Sequence, residues 1–102
     1  MQTFIKRKKL QIKYSIIAKN TLSNVARFIE TLNTKGSSNI WKNKFFRKVK
    51  KYAQPIKYAL CRHEIYALSG FSCVAIDNWI IIFKVENNQF NVYQIVLASS
   101  LY

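Results

Sequence analysis

Residues 77–97, DNWIIIFKVENNQFNVYQIVL, hold the longest unbroken apolar run of the chain and its clearest strand pattern. Asn87 and Asn88 separate two such patterns, and asparagine tolerates the positive φ that a two-residue hairpin turn requires. The stretch therefore predicts two antiparallel strands, at residues 79–86 and 89–97. Because the run WIIIF is apolar on both sides, helices should cover one face of this hairpin and leave the other partly open.

Counting back from the turn predicts the register of the two strands. After Glu86 with Gln89, the pairs predicted mainly for the core face are Val85 with Phe90, Phe83 with Val92, and Ile81 with Gln94. The pairs predicted for the opposite face are Lys84 with Asn91, Ile82 with Tyr93, and Ile80 with Ile95. The opposite face thus mixes polar and apolar side chains.

Two further strands are predicted outside this hairpin. Residues 65–76 read as a strand that enters the hairpin through Asp77-Asn78. The segment LQIKYSII, residues 10–17, alternates strictly between apolar and polar residues, which is typical of a strand covered on one face. Its apolar positions are Leu10, Ile12, Tyr14 and Ile16.

Two helices are predicted between the first strand and the others. The first spans about residues 20–34, capped by Asn20 and closed by Gly36, with the apolar stripe Leu22, Val25, Ala26, Ile29 and Leu32. The second restarts at Ser37 or Ser38 and ends before Pro55, with the apolar stripe Trp41, Phe45, Val49 and Tyr52. So short a link predicts an antiparallel helical hairpin, and we expect the aromatic residues of this helix and of the sheet to be core: Trp41, Phe45, Phe46, Phe71, Trp79, Phe83 and Phe90.

The order β-α-α-β-β-β predicts an α+β fold in which the helical hairpin packs on a mainly antiparallel four-stranded sheet. The length of 102 residues predicts one domain over residues 1–102, with residues 1–9 as a mobile basic terminus.

The charge of the chain is concentrated in its first half. Residues 1–51 contain fourteen Lys and Arg against one acidic residue, whereas residues 52–102 contain three of each kind. Lys44, Arg47, Lys48 and Lys51 recur at i, i+3, i+4 and i+7, and so form one cationic helix face that suits nucleic acid, an acidic partner segment or solvent alone. The run Lys6–Lys9 suits phosphates or a solvated terminus.

Several classes of protein are disfavoured by the remaining composition. The apolar run Trp79–Phe83 is far shorter than the ~20 residues of a membrane span, and the first residues lack a signal-peptide core, so we expect a cytoplasmic protein without membrane contact. Cys61, Cys73 and a single His63 do not make a metal set, so neither metal nor cofactor is expected. Both cysteines are expected to be reduced and mostly buried.

Two motifs resemble the RelE/ParE superfamily of bacterial type II toxins. The first, entering the first helix, consists of Ala18, Leu22, Val25, Phe28 and Ile29. The second, in the late hairpin, consists of Trp79, Ile80, Ile81, Phe83, Lys84, Val85 and Asn87. Residues 57–88, KYALCRHEIYALSGFSCVAIDNWIIIFKVENN, look most like the ParE-type branch, with Cys61-Arg62 ahead of the strand that enters the hairpin.

This resemblance implies a growth-inhibiting toxin that a small cognate antitoxin neutralises, and an oligomer only together with that antitoxin. Members of the superfamily either cleave messenger RNA in the ribosome or poison DNA gyrase. RNA-cleaving members place an Arg where Ser72, Cys73 and Val74 lie here, and a His or Tyr where VLASSLY, residues 96–102, lies here. Cleavage needs a base and a cation at the scissile phosphate, so these differences favour ParE-like gyrase inhibition.

Other functions remain open: a ribosome-dependent mRNA endonuclease of RelE type, a non-catalytic basic module that binds nucleic acid, and a degenerate toxin that keeps only antitoxin binding. If the chain is an endoribonuclease, Tyr102 is one candidate for the His or Tyr that RNA-cleaving members carry near the C-terminus. The catalytic set predicted for the open face is Arg62, His63, Lys84 and Tyr93.

Overall fold

The computed structural model describes residues 9–101, without the side chains of Ser100 and Leu101. The predicted mobile terminus, except Lys9, and Tyr102 lie outside the described residues. The strands are β1 (Gln11–Tyr14), β2 (Ser72–Ile76), β3 (Trp79–Glu86) and β4 (Gln89–Leu97), and the helices are α1 (Ile16–Leu32), α2 (Ser37–Lys50), α3 (Glu64–Leu68) and α4 (Ala98–Leu101). The predicted α+β class, with a helical hairpin on a four-stranded sheet, is confirmed.

The four strands form one sheet in the order β1-β4-β3-β2. The β2–β3 and β3–β4 pairs are antiparallel, while β1 lies parallel to β4. Because a parallel pair needs a crossover connection, the α1–α2 hairpin lies on the path between them and covers one face. The first strand thus becomes an edge of the sheet, beside the last strand of the chain.

The turn between β3 and β4 forms as the sequence predicts. Asn87 and Asn88 have φ of 52° and 59°, which is the left-handed conformation of a type I′ hairpin turn. The pairs up to Phe83 with Val92 match the predicted register, and then a β-bulge at Tyr93 shifts it. Beyond the bulge the predicted pairs are wrong, because the extra residue moves each partner on by one: Ile82 pairs with Gln94, Ile81 with Ile95, and Ile80 with Val96.

Helix α1 begins earlier than the sequence predicts. Ser15, not Asn20, is its cap, and the Ser15 hydroxyl accepts a hydrogen bond from the Ala18 amide at 3.0 Å. A β-branched pair, Ile16-Ile17, therefore starts a helix rather than ending a strand, because the serine before it satisfies a free helix amide. At the other end Leu32 is 67% exposed and outside the core.

The start of α2 is capped from the neighbouring helix. One carboxylate oxygen of Glu30 accepts hydrogen bonds from the amides of Gly36 and Ser38, at 3.0 and 3.1 Å. Gly36 precedes α2 with a φ of 92°, in the region that favours glycine. An acid near the end of α1 therefore fixes the turn of the helical hairpin.

The core lies between the helical hairpin and the sheet. Its buried members are Ala18, Leu22, Phe45, Val49, Ala53, Ile76, Ile81, Phe83, Phe90, Val92 and Ile95. Trp41 and Trp79 are half-buried against this core. Two aromatic predictions are wrong, because Phe46 is 36% exposed and Phe71 lies on the opposite face of the sheet, where it stacks on Tyr93.

The predicted strand at residues 65–76 is shorter than expected, because its first half folds into α3 and a turn at Gly70, where φ is 82°. Residues 61–71, which we call the covering loop, close on themselves through a hydrogen bond from the Cys61 amide to the Phe71 carbonyl, at 2.9 Å. Cys61 and Cys73 form a disulfide, so the expectation of reduced cysteines is wrong. The expected burial holds for Cys61, whereas Cys73 is half-buried.

The covering loop closes part of the face that the helices leave uncovered. Cys73, Ile82 and Gln94 form one row across β2, β3 and β4. The loop holds both ends of that row, by the disulfide to Cys73 and by a 3.2 Å hydrogen bond from the Tyr66 hydroxyl to Gln94. Ile82, in the middle of the row, is fully buried.

Among residues 9–101, no helix has the length and apolar character needed to cross a membrane.

Candidate functional site

A row of polar side chains crosses the sheet beside the covering loop. Lys13 of β1 pairs with Asn91 of β4, and Asn91 pairs with Lys84 of β3. Residues directly opposite one another in neighbouring strands point to the same face, so two ammonium groups flank one amide. The row exists only because β1 lies parallel to β4, a pairing that the sequence does not reveal.

This row lies in a cleft of about 460 Å³, which we call the open-face groove. Its lining residues are Lys13, Tyr14, Ser15, Phe71, Lys84, Glu86, Asn91, Val92 and Tyr93. Glu86 is the one carboxylate in this lining, and its Oε1 lies 3.9 Å from the Lys84 Nζ atom. The groove is therefore cationic at both ends of the row, with one acid at its border.

One wall of the groove is aromatic. The rings of Phe71 and Tyr93 stack with centroids 4.7 Å apart and planes 26° apart. The Nζ atom of Lys84 lies 4.6 Å from the Phe71 centroid, within cation–π range. Tyr93 remains 39% exposed, so part of its ring is accessible to a ligand.

Local backbone structure positions the side chains of Tyr93 and Lys84. Tyr93 occupies the bulge of β4, and its carbonyl accepts a hydrogen bond from the Ser15 hydroxyl, while the Val92 carbonyl accepts one from the Ser15 amide at 2.9 Å. Lys84 runs past Gly70, where an added Cβ would lie 3.3 Å from the lysine Cε. Gly70 thus supplies both a positive φ and room for the lysine stem.

The structure brings together only part of the predicted catalytic set. Lys84 and Tyr93 border the open-face groove, whereas Arg62 and His63 do not line it. Arg62 is exposed in the covering loop. His63 precedes α3 and its ring lies 5.3 Å from that of Tyr66; its Nδ1 is buried with no hydrogen-bond partner among residues 9–101. No imidazole therefore faces the groove within the described chain.

Two tyrosines that pack against the core, Tyr14 and Tyr58, have unusual environments. Burial raises the pKa of Tyr14 to about 12, and its hydroxyl makes no hydrogen bond within the described residues. Tyr58 packs edge-on against Phe83 and donates a 2.5 Å hydrogen bond to the Tyr52 carbonyl. The pKa of Tyr58 is also raised, chiefly by burial. Both phenols stay neutral at ordinary pH, so neither acts there as an anion.

The cationic face of α2 is interrupted by an internal ion pair. The Nζ of Lys48 lies 2.9 and 2.8 Å from the two carboxylate oxygens of Asp77, in the β2–β3 turn. Lys44 and Arg47 of the same helix are exposed, as is Lys51, its C-cap. The predicted four-residue face therefore reduces to three solvated cations, with the fourth joining α2 to the sheet.

Lys13, Asn91 and Phe71 line the groove but are not in the catalytic set that the sequence predicts. The strand pattern gives Lys13 a polar position with no known neighbour, the register pairs Asn91 only with Lys84, and Phe71 is expected in the core. Only the pairing of β1 with β4 joins the first two, and only the covering loop turns Phe71 away from the core.

Neither the protein-family models nor the curated proteins compared with this chain match it.

Proposed function

We propose that the chain is a growth-inhibiting toxin of the RelE/ParE type, neutralised by a small cognate antitoxin. The observation that carries this proposal is the arrangement of α1 and α2 as a hairpin on the sheet, followed by β2, β3 and β4, in the order on which the resemblance rests. The residues of the late motif, from Trp79 to Asn87, fall on β3 and its turn, where the resemblance requires them.

Gyrase inhibition of the ParE kind is favoured over RNA cleavage. Where RNA-cleaving relatives are expected to carry an Arg, Cys73 is engaged in a disulfide. The groove contains a cation, Lys84, but His63 is turned toward Tyr66 and does not reach the lining. Cleavage through a 2′-hydroxyl requires a base beside the cation, and this pairing is not assembled among the described residues.

Inducible expression tests the proposal in two steps. Growth should stop on induction and resume when a neighbouring acidic reading frame is expressed together with the chain. Pulse-labelling should then show that DNA synthesis falls before protein synthesis. A prompt halt in translation with codon-specific cuts in messenger RNA, lost in Arg62→Ala or His63→Ala, would reverse the preference and make these two residues catalytic.

A second candidate function, binding of single-stranded nucleic acid, is favoured by the open-face groove. Single-strand binding combines cations that track the backbone with aromatic rings on which bases stack. Here Lys13 and Lys84 flank Asn91, and the Phe71–Tyr93 stack lies alongside. Phosphates would contact the two ammonium groups, a base would stack on the exposed part of Tyr93, and the Asn91 amide would meet a base edge.

Fluorescence anisotropy with labelled single-stranded RNA, single-stranded DNA and duplex DNA tests this candidate. Lys13→Gln and Lys84→Gln should each reduce the salt dependence of single-strand binding by about 0.7 in log–log slope. Tyr93→Leu should cost about 1 to 3 kcal/mol of binding. Lys35→Gln, which removes an exposed lysine from the helical hairpin, is the matched control. Equal losses in the groove and control variants would show that binding is nonspecific electrostatics.

A further inference from the structure

The covering loop is attached to the sheet by few interactions besides its disulfide. Helix α3 contains no buried residue, and its outward side chains Ile65 and Leu68 are 68% and 80% exposed. Among the described hydrogen bonds, the one from the Tyr66 hydroxyl to Gln94 joins the loop to a strand, whereas the one from the Cys61 amide to the Phe71 carbonyl lies within the loop. Segments with so little buried apolar surface open most readily, so the Cys61–Cys73 bond is the strongest attachment.

The same loop forms the aromatic wall of the open-face groove. Phe71 is the last residue of the loop, two residues before Cys73, and its ring contacts both Tyr93 and the Lys84 ammonium. Any motion that lifts Cys61 from Cys73 also frees the carbonyl of Phe71, which accepts the Cys61 amide. Phe71 is thus hydrogen-bonded to the same cysteine that the disulfide attaches to β2.

We propose that the Cys61–Cys73 disulfide is a reducible clasp that controls the open-face groove. With the bond closed, Phe71 and Lys84 are held in place for a single strand. With the bond reduced, the covering loop lifts, Ile82 becomes accessible, and the groove loses its preorganised wall and binds single strands more weakly. The effect on binding rests on the second candidate function, whereas the opening of the loop does not.

The reductant is a dithiol, which supplies both electrons that the disulfide needs. One thiolate of the dithiol attacks the sulfur of Cys73, which is the more exposed of the two cysteines. The bond between Cys73 and Cys61 breaks, and the Cys61 sulfur leaves as a thiolate. The second thiolate then attacks the mixed disulfide and releases Cys73. Two electrons pass to the protein, both cysteine thiolates take protons from water, and the dithiol ends as its own disulfide. The chain has only two cysteines, so no competing pair forms within it.

Hydrogen exchange on the full chain, before and after treatment with dithiothreitol, tests the clasp. Thiol titration should find no free thiol before treatment and two after it. Amides in residues 61–71 should then exchange at least tenfold faster, while those of β3 and β4 keep their protection. Unchanged exchange over residues 61–71 after full reduction, or two free thiols in protein held under mild oxidation, would overturn the proposal.

Anisotropy with a labelled single-stranded oligothymidine tests the effect on the groove. Reduction should weaken binding several-fold, and the double variant Cys61→Ser, Cys73→Ser should bind as the reduced protein does and ignore dithiothreitol. Equal affinity of the oxidised and reduced wild-type protein would overturn control of the groove, even if the variant fails to fold. If the oxidised protein binds no oligonucleotide, the candidate function fails and the exchange of residues 61–71 alone decides the clasp.

Discussion

The hydroxyl of Ser15 donates a hydrogen bond to the backbone carbonyl of Tyr93, so one side chain joins the start of α1 to the bulge of β4. The same oxygen accepts the Ala18 amide and caps the helix. A bulged residue has no partner on the neighbouring strand, and this contact satisfies its carbonyl. Capping of α1 and presentation of Tyr93 in the groove are therefore coupled through a single residue.

Ser15→Ala should destabilise the fold by about 1 kcal/mol, the usual cost of losing a helix cap, and more if the carbonyl of Tyr93 is left without a partner. Urea denaturation followed by circular dichroism measures the change. Ser15→Asp separates the two roles, because its carboxylate accepts the Ala18 amide but cannot donate to Tyr93. Equal stability of Ser15→Ala and the wild type would show that neither bond matters.

Glu30→Gln should destabilise the helical hairpin at neutral pH and have less effect in acid. The pKa of the Glu30 carboxyl is lowered from its ordinary 4.5, chiefly by the hydrogen bond that it accepts from the Ser38 amide. The stabilisation is therefore present above the unfolded value and is lost as pH falls through the folded one. Denaturation of both proteins across the acid range should show their stabilities converging at low pH.

The control for that experiment is Glu64→Gln, which removes an exposed acid outside the helical hairpin. Its effect should be smaller at neutral pH. A Glu30→Gln difference that stays constant as pH falls would contradict the role of the carboxylate as a cap.

Tyr14→Phe should leave stability unchanged or raise it, because the variant removes a buried hydroxyl that has no partner within the described residues. The edge-on contact of the ring with Phe46 is kept. In the wild type one tyrosine should titrate near pH 12 by ultraviolet absorbance, and this transition should vanish in the variant. Since burial favours the neutral phenol, its ionisation does not affect stability below pH 10, and the wild type should lose stability relative to the variant as pH rises from 10 toward 12.

Phe83→Ala should cost about 3 to 5 kcal/mol of unfolding free energy, because its ring is fully buried and stacks on Phe90 at 4.3 Å. Trp79→Ala should cost less, since Trp79 begins β3 and is only half-buried. Thermal and urea denaturation of the two variants measure the order. A larger loss in Trp79→Ala than in Phe83→Ala would contradict this order, because it would place the centre of the core at the start of β3 and not at Phe83.

Reversing Lys44, Arg47 and Lys51 to Glu should greatly weaken binding to an acidic partner segment or to nucleic acid without unfolding the chain. The three side chains are exposed and their attraction to acidic partners is screened by salt. Lys48 is left unchanged because its reversal would place two carboxylates together beside Asp77. Binding measured over a range of salt concentrations should show a smaller salt dependence in the variant.

Reversing Lys19, Arg27 and Lys35, which are exposed on α1 and the following link, is the matched control with the same change in net charge. If both triple variants bind equally weakly, the face on α2 has no special role. Lys48→Gln should lower stability by less than about 1 kcal/mol, because both partners of this pair are about half exposed.

The parts of the fold that depend on residues close together in the sequence could be predicted from it. Asn87 and Asn88 determine their turn by their own backbone preference, and the pairs nearest to them follow by counting. The stripe that contains Phe45 and Val49 likewise needs only the period of a helix. These features require no information about distant segments.

The rest of the site depends on contacts between distant segments. The bulge at Tyr93 is stabilised by Ser15, 78 residues away, and no local pattern in QFNVYQIVL signals it. The parallel partner of β1 is set by how the helical hairpin returns the chain to the sheet. Cys61 and Cys73 join only because α3 replaces the first half of a predicted strand.

The pairing of β1 with β4 also sets the order in which the chain can fold during synthesis. Among the described elements, β1 leaves the ribosome before β2, β3 and β4, so it has no strand to pair with until residues 89–92 emerge. Until then the helical hairpin can pack only on the β2–β3 pair, and α1, which lies against β4 in the finished fold, stays partly uncovered. Closing so long a separation is slow. We therefore expect the nascent chain to pass through a stage in which α1 is only partly covered, and a fragment that stops before β4 to remain in that state.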